Sequence, residues 1–399
     1  MINQIVIESF NEKIFVQRIL GSVEGVKQTP TVIAIGGIHG NERAGLNALL
    51  KVFQTIEEEN ICLNGNFYGI AGNINAISEN IRFKNVDLNR IWTKEEILKL
   101  YLKDELEIES EEQNEIYFII KDILNKEKGP FYFLDLHTTS SDTQPFITIS
   151  DSLNNRRYSS NFSIPTILGI EEYLNGPLLT FINEFGHIAV GFEAGQHDKE
   201  VSVDNCVAFL WLALVAAKCI HKKEVKKYSY FKHSLSLFKE DQDFYKIDYK
   251  YTIKPFENFK MIEGYKNFEE ITKNELLAYS NQREIHSNIK GKIFMPLYQE
   301  KGNDGFFIIS KISKFWLKAS IVARKLHFHQ LLRLLPGVKL DRRNAYTLIV
   351  NPRTAKFLAI EIFHLFGYRK KWLKEIIFIL LKEIEKLVNL FNRLDLLFQ

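Results

Sequence analysis

The sequence predicts an α/β protein: a mixed sheet flanked by helices, followed by a small β module and a helical C-terminal extension. Three observations carry this expectation. Short continuous apolar runs at 31–35, 66–71 and 130–136 alternate with segments of helical spacing, the pattern of buried strands separated by crossover helices. Glycine and asparagine gather just after two of those runs, in GGIHGNERAG at 36–45 and GNIN at 72–75, where ligands bind in sheets of this kind. Past residue 221 the alternation gives way to short aromatic runs, and past 310 to apolar residues at helical intervals. The expected division is therefore an α/β domain over 1–225, a β module over 226–310 and a helical extension over 311–399.

Taken in order, residues 5–9 and 13–19 read as a strand pair joined by Phe10, Asn11 and Glu12. The strand at 31–35 enters the glycine turn, and Leu46, Leu49, Leu50 and Phe53 then mark one face of a helix. Residues 66–71 form the next strand. Residues 93–125 are helical and heavily charged, and their acidic centre at 104–115 reads as a solvated face. The run at 130–136 is a buried strand leading into His137, and 146–149 and 164–168 are two more short strands. A helix at 174–185, a strand at 187–192 and a long helix at 198–220 complete the first domain. The basic stretch 222–227 reads as a linker, and turns at 263–264, 288–291 and 301–305 divide the β module. In the tail, Leu373, Ile376, Ile377, Leu380 and Ile384 predict an amphipathic helix over 372–398, suited to packing or self-association.

Composition narrows the classes. With 52 basic and 49 acidic residues the net charge is +3, which calls for neither nucleic acid nor an anionic membrane, so an anionic small molecule would be held by local charges. Three cysteines among 399 residues are too few and scattered for a disulfide framework; Cys206 and Cys219 lie in an apolar run as small hydrophobes. The N-terminus has no basic and apolar leader, and the apolar stretch 206–217 is well short of the ~20 residues that span a bilayer. A cytoplasmic location is the expectation.

The chemistry concentrates in four stretches. His39 and Glu42 sit three residues apart in the glycine turn, a spacing that lets an imidazole and a carboxylate converge on one ion. The other three are VDLNR at 86–90, FLDLHT at 133–138 and GFEAG at 191–195. His137 completes a two-histidine, one-carboxylate set of the type that leaves a zinc ion one open position. Strand alternation puts Asp135 on the same face as His137, placed to orient its ring.

These four stretches, in this order, resemble the succinylglutamate desuccinylase and aspartoacylase family, a branch of the zinc carboxypeptidase-like enzymes, over residues 28–310. The resemblance implies one zinc ion per chain on His39, Glu42 and His137, with Glu193 as general acid and base. It implies that Arg82 polarises the scissile carbonyl, while Arg90, eight residues on, clamps a substrate carboxylate with Asn89 beside it. Asp87 reads as structural, a buttress for one of these arginines, and Gln196 and His197, which follow the glutamate, read either as lining for the acyl-side pocket or as ordinary loop residues. The function implied is zinc-dependent hydrolysis of the amide bond of an N-acyl amino acid or a similar small carboxylate-bearing amine. The same donor set would serve a metallocarboxypeptidase acting on short peptides, or a metal-dependent binding protein without turnover. Two further histidines, His327 and His329, diverge around a predicted helix and are not counted as ligands.

Overall fold

The computed structural model describes residues 4–102, 107–236, 242–299, 301–326, 331–332, 334–340, 347–351, 366, 368–372 and 378–382. Its frame is a mixed sheet of eleven strands. From one edge to the other these are Glu270–Ile271, Gly291–Phe294, Asp304–Lys311, Phe244–Thr252, Thr166–Leu168, Phe146–Ile149, Ile188–Gln196, Phe131–Thr139, Thr31–Gly36, Asn66–Ala71 and Ile19–Val23. At the centre, Ile188–Gln196, Phe131–Thr139, Thr31–Gly36 and Asn66–Ala71 run parallel. Their continuous apolar sequences follow from burial on both faces. Val32 and Ala34 pack into the larger core with Leu134 and Leu136, against the helices Ala44–Glu58 and Glu200–Ala216. Ile33, Ile35 and Phe133 face the other way, into a core shared with the helices Ile108–Lys126 and Leu178–Glu184. The mixed sheet between helical layers is the fold class the sequence predicts.

Two expectations for the later part of the chain are corrected. The 226–310 stretch does not begin with strands: Tyr228–Ser236 is a helix whose Phe231 and Leu235, four residues apart, are buried in the larger core. Its aromatic composition suggested strand, but the spacing that packs is helical. Nor do the strands of that stretch stand apart. Phe244–Thr252 pairs parallel with Thr166–Leu168 and antiparallel with Asp304–Lys311, so they continue the main sheet, while Phe259–Met261, Leu276–Ser280 and Arg283–His286 form a separate three-stranded sheet.

The tail is helical over Lys314–Lys325, but beyond it Val338–Leu340, Thr347–Val350, Phe378–Lys382 and Tyr368–Trp372 make a four-stranded antiparallel sheet. A run such as FILLK satisfies a helical and an extended reading equally, and pairing with the strand Thr347–Val350 decides for extension. The rest of the helix expected at 372–398 lies outside the described residues, as do His327 and His329. No helix among the described residues is long and apolar enough to cross a membrane.

One core-edge residue ties stability to pH. His187 precedes the strand Ile188–Gln196 and sets its ring 5.1 Å from that of Phe131 and 6.0 Å from that of Phe133. Burial lowers its pKa to about 4. The unfolded chain therefore takes up a proton, near the ordinary histidine value of about 6.5, that the folded chain refuses. This contribution is intact above pH ~6.5 and is lost as pH falls toward about 4. His187→Phe is expected to flatten the fall in stability across that window, as read by urea unfolding at a series of pH values.

Candidate active site

The parallel centre of the sheet brings the site residues to one edge. In the strand register Gly36 is opposite Leu136, and His137 is opposite Glu193, so three segments end side by side. His137 and Glu193 lie inside their strands, near the carboxyl ends, rather than in the turns that follow. The turn carrying His39 and Glu42 needs its glycines. Gly37 has φ +73°, and a Cβ on Gly40 would collide with the backbone of Ala76. Glu42 N donates to His39 O (3.1 Å), which folds both side chains to the same side.

Glu42 is the centre of the cluster. Its Oε1 lies 2.8 Å from His39 Nδ1 and its Oε2 lies 2.9 Å from His137 Nδ1. Thr138 N donates to Oε2 (3.1 Å) and Arg82 Nη1 to Oε1 (3.1 Å). Burial alone would raise the pKa of this carboxyl, but His39 and His137 hold it well below the usual range. Each imidazole is held from its far side too: His39 Nε2 meets Asp87 Oδ1 (3.0 Å), and His137 Nε2 lies 2.8 Å from Asp135 Oδ2. The second contact is off the direction of a hydrogen bond, and both oxygens of Asp135 are buried without a hydrogen-bond partner. Against the effect of burial, Asp135 and Glu42 push the His137 pKa well above its ordinary value.

These residues fit a zinc ion. Two imidazoles and a carboxylate, all buried, bring one donor atom each within 4.8 Å of one another, and the contacts between them are proton-sharing ones that a cation would replace. A carboxylate behind each ring is the arrangement that orients metal-binding histidines.

Glu193 borders this cluster. It is 7 % exposed, its Oε2 has no hydrogen-bond partner, and burial raises its pKa to about 8. A carboxyl poised near neutrality is suited to taking and giving a proton. Arg82 follows the helix Ile74–Glu79 and donates through Nη2 to Asp87 Oδ2 (3.3 Å) as well as to Glu42, while its buried Nε has no partner. Burial works against ionisation of Asp87, but His39, Arg82 and Arg90 hold its carboxyl well below the usual range.

The stretch 82–90 is fixed by a residue that the sequence reading set aside. Glu109, taken as part of a solvated acidic face, is completely buried and accepts from three successive backbone amides, Lys84 N (2.6 Å), Asn85 N (3.1 Å) and Val86 N (3.3 Å). Asp87 then caps the short helical turn Leu88–Arg90 by accepting from Asn89 N (2.8 Å). Asn89 Oδ1 accepts from Leu178 N (2.9 Å), and Arg90 donates to Asn89 O (2.9 Å) and to Asp304 Oδ2 (3.2 Å).

His39, Glu42, Arg82, Asn89, Arg90, His137 and Glu193, the metal, catalytic and substrate-carboxylate candidates from the sequence, line a single cavity of about 600 Å³. Gln196 and His197 do not line it. His197 stands behind the wall, its Nδ1 2.7 Å from Thr138 Oγ1, and Gln196 reaches Ser140 O. Sequence reasoning missed Asp304 and Phe307, which line the far wall, because nothing local links the strand Asp304–Lys311 to the motifs.

Fold and site together define an α/β protein with a buried two-histidine, one-carboxylate donor set at the carboxyl edge of a mixed sheet. Residues 28–212 are similar to the succinylglutamate desuccinylase/aspartoacylase catalytic domain. Similar solved structures include a succinylglutamate desuccinylase from Vibrio parahaemolyticus (14% identity, TM-score 0.55, covering 73% of this chain and 86% of that one). A succinylglutamate desuccinylase/aspartoacylase from Rhodobacter sphaeroides is also similar (15%, 0.57, 75% and 90%). So is the product-bound ectoine utilization protein EutE (DoeB) from Ruegeria pomeroyi (16%, 0.53, 75% and 90%). At these identities the likeness is one of fold. No curated protein matches the chain.

Glu109 gives the site a measurable anchor. Glu109→Ala leaves three backbone amides without their acceptor and is expected to cost about 3 kcal/mol in urea unfolding. Glu109→Gln, which keeps one acceptor oxygen, should cost less.

Proposed function

We propose that the protein is a zinc-dependent deacylase that hydrolyses the amide bond of an N-acyl amino acid or a similar small carboxylate-bearing amine. The observation that carries the reading is the shared cavity: the donor triad, an unpartnered buried glutamate and two arginines all open onto it. Its volume of about 600 Å³ suits a small molecule better than an extended peptide.

His39, Glu42 and His137 would hold the ion, which when bound supplies a Lewis acid for the scissile carbonyl and lowers the pKa of a water molecule toward ~7. Glu193, at its free Oε2, takes a proton from the attacking water and returns it to the leaving nitrogen, so one carboxyl serves as base and then acid. Arg82 donates to the developing oxyanion, and its unpartnered Nε is available for that bond. Because Glu42 and Asp87 already hold its two Nη atoms, the guanidinium is positioned before substrate arrives. Arg90, flanked by Asn89, clamps the substrate carboxylate at the other end of the cavity; a guanidinium keeps its charge and offers a fork that matches a carboxylate.

Two outcomes are expected. Dialysed protein should take up one zinc ion per chain by mass spectrometric metal analysis, and Glu42→Ala or His137→Ala should fall well below that. Glu193→Gln should keep its zinc and lose on the order of 10² to 10⁴ in rate on a panel of N-acyl amino acids, measured beside short peptides. Undiminished turnover by this variant would remove Glu193 from the mechanism, and faster cleavage of the peptides would favour a carboxypeptidase.

A further inference from the structure

The clamp end of the cavity carries a charge arrangement that the family motifs do not describe. Arg90 Nη2 donates to Asp304 Oδ2 (3.2 Å), and Asp304 Oδ1 lies 2.5 Å from Lys250 Nζ. Lys250 is fixed in turn: its ammonium donates to Tyr173 O (2.7 Å) and stands 5.8 Å from the centre of the Phe307 ring. Two cations and one anion make a group of net charge +1, which a single substrate carboxylate on Arg90 neutralises.

A second carboxylate on the same half of the substrate would find no lysine or arginine beyond Arg90 and Arg82 among the described residues that line the cavity. Arg82 is the other guanidinium lining the cavity; Glu42 and Asp87 hold its two Nη atoms, and the deacylase reading gives its Nε to the oxyanion. Lys250 is turned toward Asp304 and Tyr173 and does not line the cavity. The lining adds uncharged polar groups, Asn85, Thr180, Gln299 and Asn303 among them, and an apolar patch. Ile170, Leu174, Met295 and Phe307 line the cavity and belong to one hydrophobic cluster with Phe146 and Ile167. An unpaired carboxylate placed against that wall loses its hydration without compensation, and Asp304 repels it.

We propose that the substrate's amine half carries one carboxylate and an apolar side chain, and that Asp304, held by Lys250, is the specificity residue that rejects a second carboxylate. This rests on the deacylase reading for the role of Arg90, but it concerns which amine is accepted rather than how the amide is cleaved. It separates this chain from an enzyme whose amine product is an acidic amino acid.

The test uses the full-length, zinc-loaded protein and four compounds with one acyl group: the N-acetyl derivatives of L-leucine, L-methionine, L-aspartate and L-glutamate. Binding is read by calorimetry on the Glu193→Gln variant, and turnover on the unmodified chain. The first pair should bind at least about tenfold more tightly than the second. Asp304→Asn in the same background should narrow that ratio by about tenfold, and Lys250→Met, which leaves Asp304 less compensated, should widen it. The opposite signs of the two changes guard against a variant that merely unfolds. Tighter binding of the acidic pair, binding of neither pair, or a ratio unmoved by both substitutions overturns the proposal. Preferential binding of the apolar pair without turnover by the unmodified chain supports it and removes the deacylase reading instead.

Discussion

The carboxylate of Glu42, 3 % exposed, is the constraint from which the rest of the site follows. An ion of this kind persists in the interior only when its oxygens are fully engaged, since the desolvation cost otherwise exceeds what one partner returns. Here the engagement comes from three places in the chain: His39 in the same turn, Arg82 after a short helix, and His137 with the amide of Thr138 on a central strand. None of these can reach Glu42 unless the strands Thr31–Gly36 and Phe131–Thr139 keep their register. A slip of one residue would turn His137 to the opposite face and leave the anion short of a partner. Local chemistry and sheet register thus enforce one another.

The same logic extends outward in alternating charge. Behind one imidazole stands Asp87 and behind the other Asp135, while Arg82 joins Asp87 to Glu42. One turn further out, Glu109 gathers three amides of the segment that carries Asp87 and Arg90. The outer acid acts without touching the cavity. It sets the path of the backbone, and the backbone sets where the arginine and asparagine stand. Glu193 borders this pattern with a buried oxygen left unpaired, as are both oxygens of Asp135 and the Nε of Arg82. Of these unpartnered atoms, those of Glu193 and Arg82 are the ones to which the proposed function gives chemistry.

The central strands were legible because burial on both faces leaves an unbroken apolar run, and the buried donor cluster was legible because His39 and Glu42, a weak signal by themselves, are joined by three further stretches in the same chain. Glu109 was not read, although a signal was present. On its helix the buried positions include Glu109, Glu112, Gln113, Ile116, Ile120 and Ile123, so two of the acids lie on the stripe marked by the isoleucines. Counting acids over the segment hid this; following the stripe would have shown it. The tail was misread for a different reason. Short apolar runs fit helix and strand alike, and the choice was made by pairing between segments that a local pattern cannot contain. Asp304 was out of reach for the same cause, being 214 residues from the arginine it meets.

That distance also bears on how the two ends of the cavity relate. The donor triad and Glu193 stand on parallel central strands and the turn beside them, whereas Asp304 and Phe307 stand on Asp304–Lys311, an antiparallel strand further out in the same sheet. Hydrogen-bonded continuity across Phe244–Thr252 and Thr166–Leu168 fixes the span between them without sharing a side chain between the two tasks. Under the proposed function, a change at the outer strand would alter what Arg90 accepts, and the geometry around Glu193 at the centre would have no reason to move with it. A sheet that places the proposed cleavage residues on inner strands and the proposed selecting residue on an outer one would permit the second to vary while the first is kept.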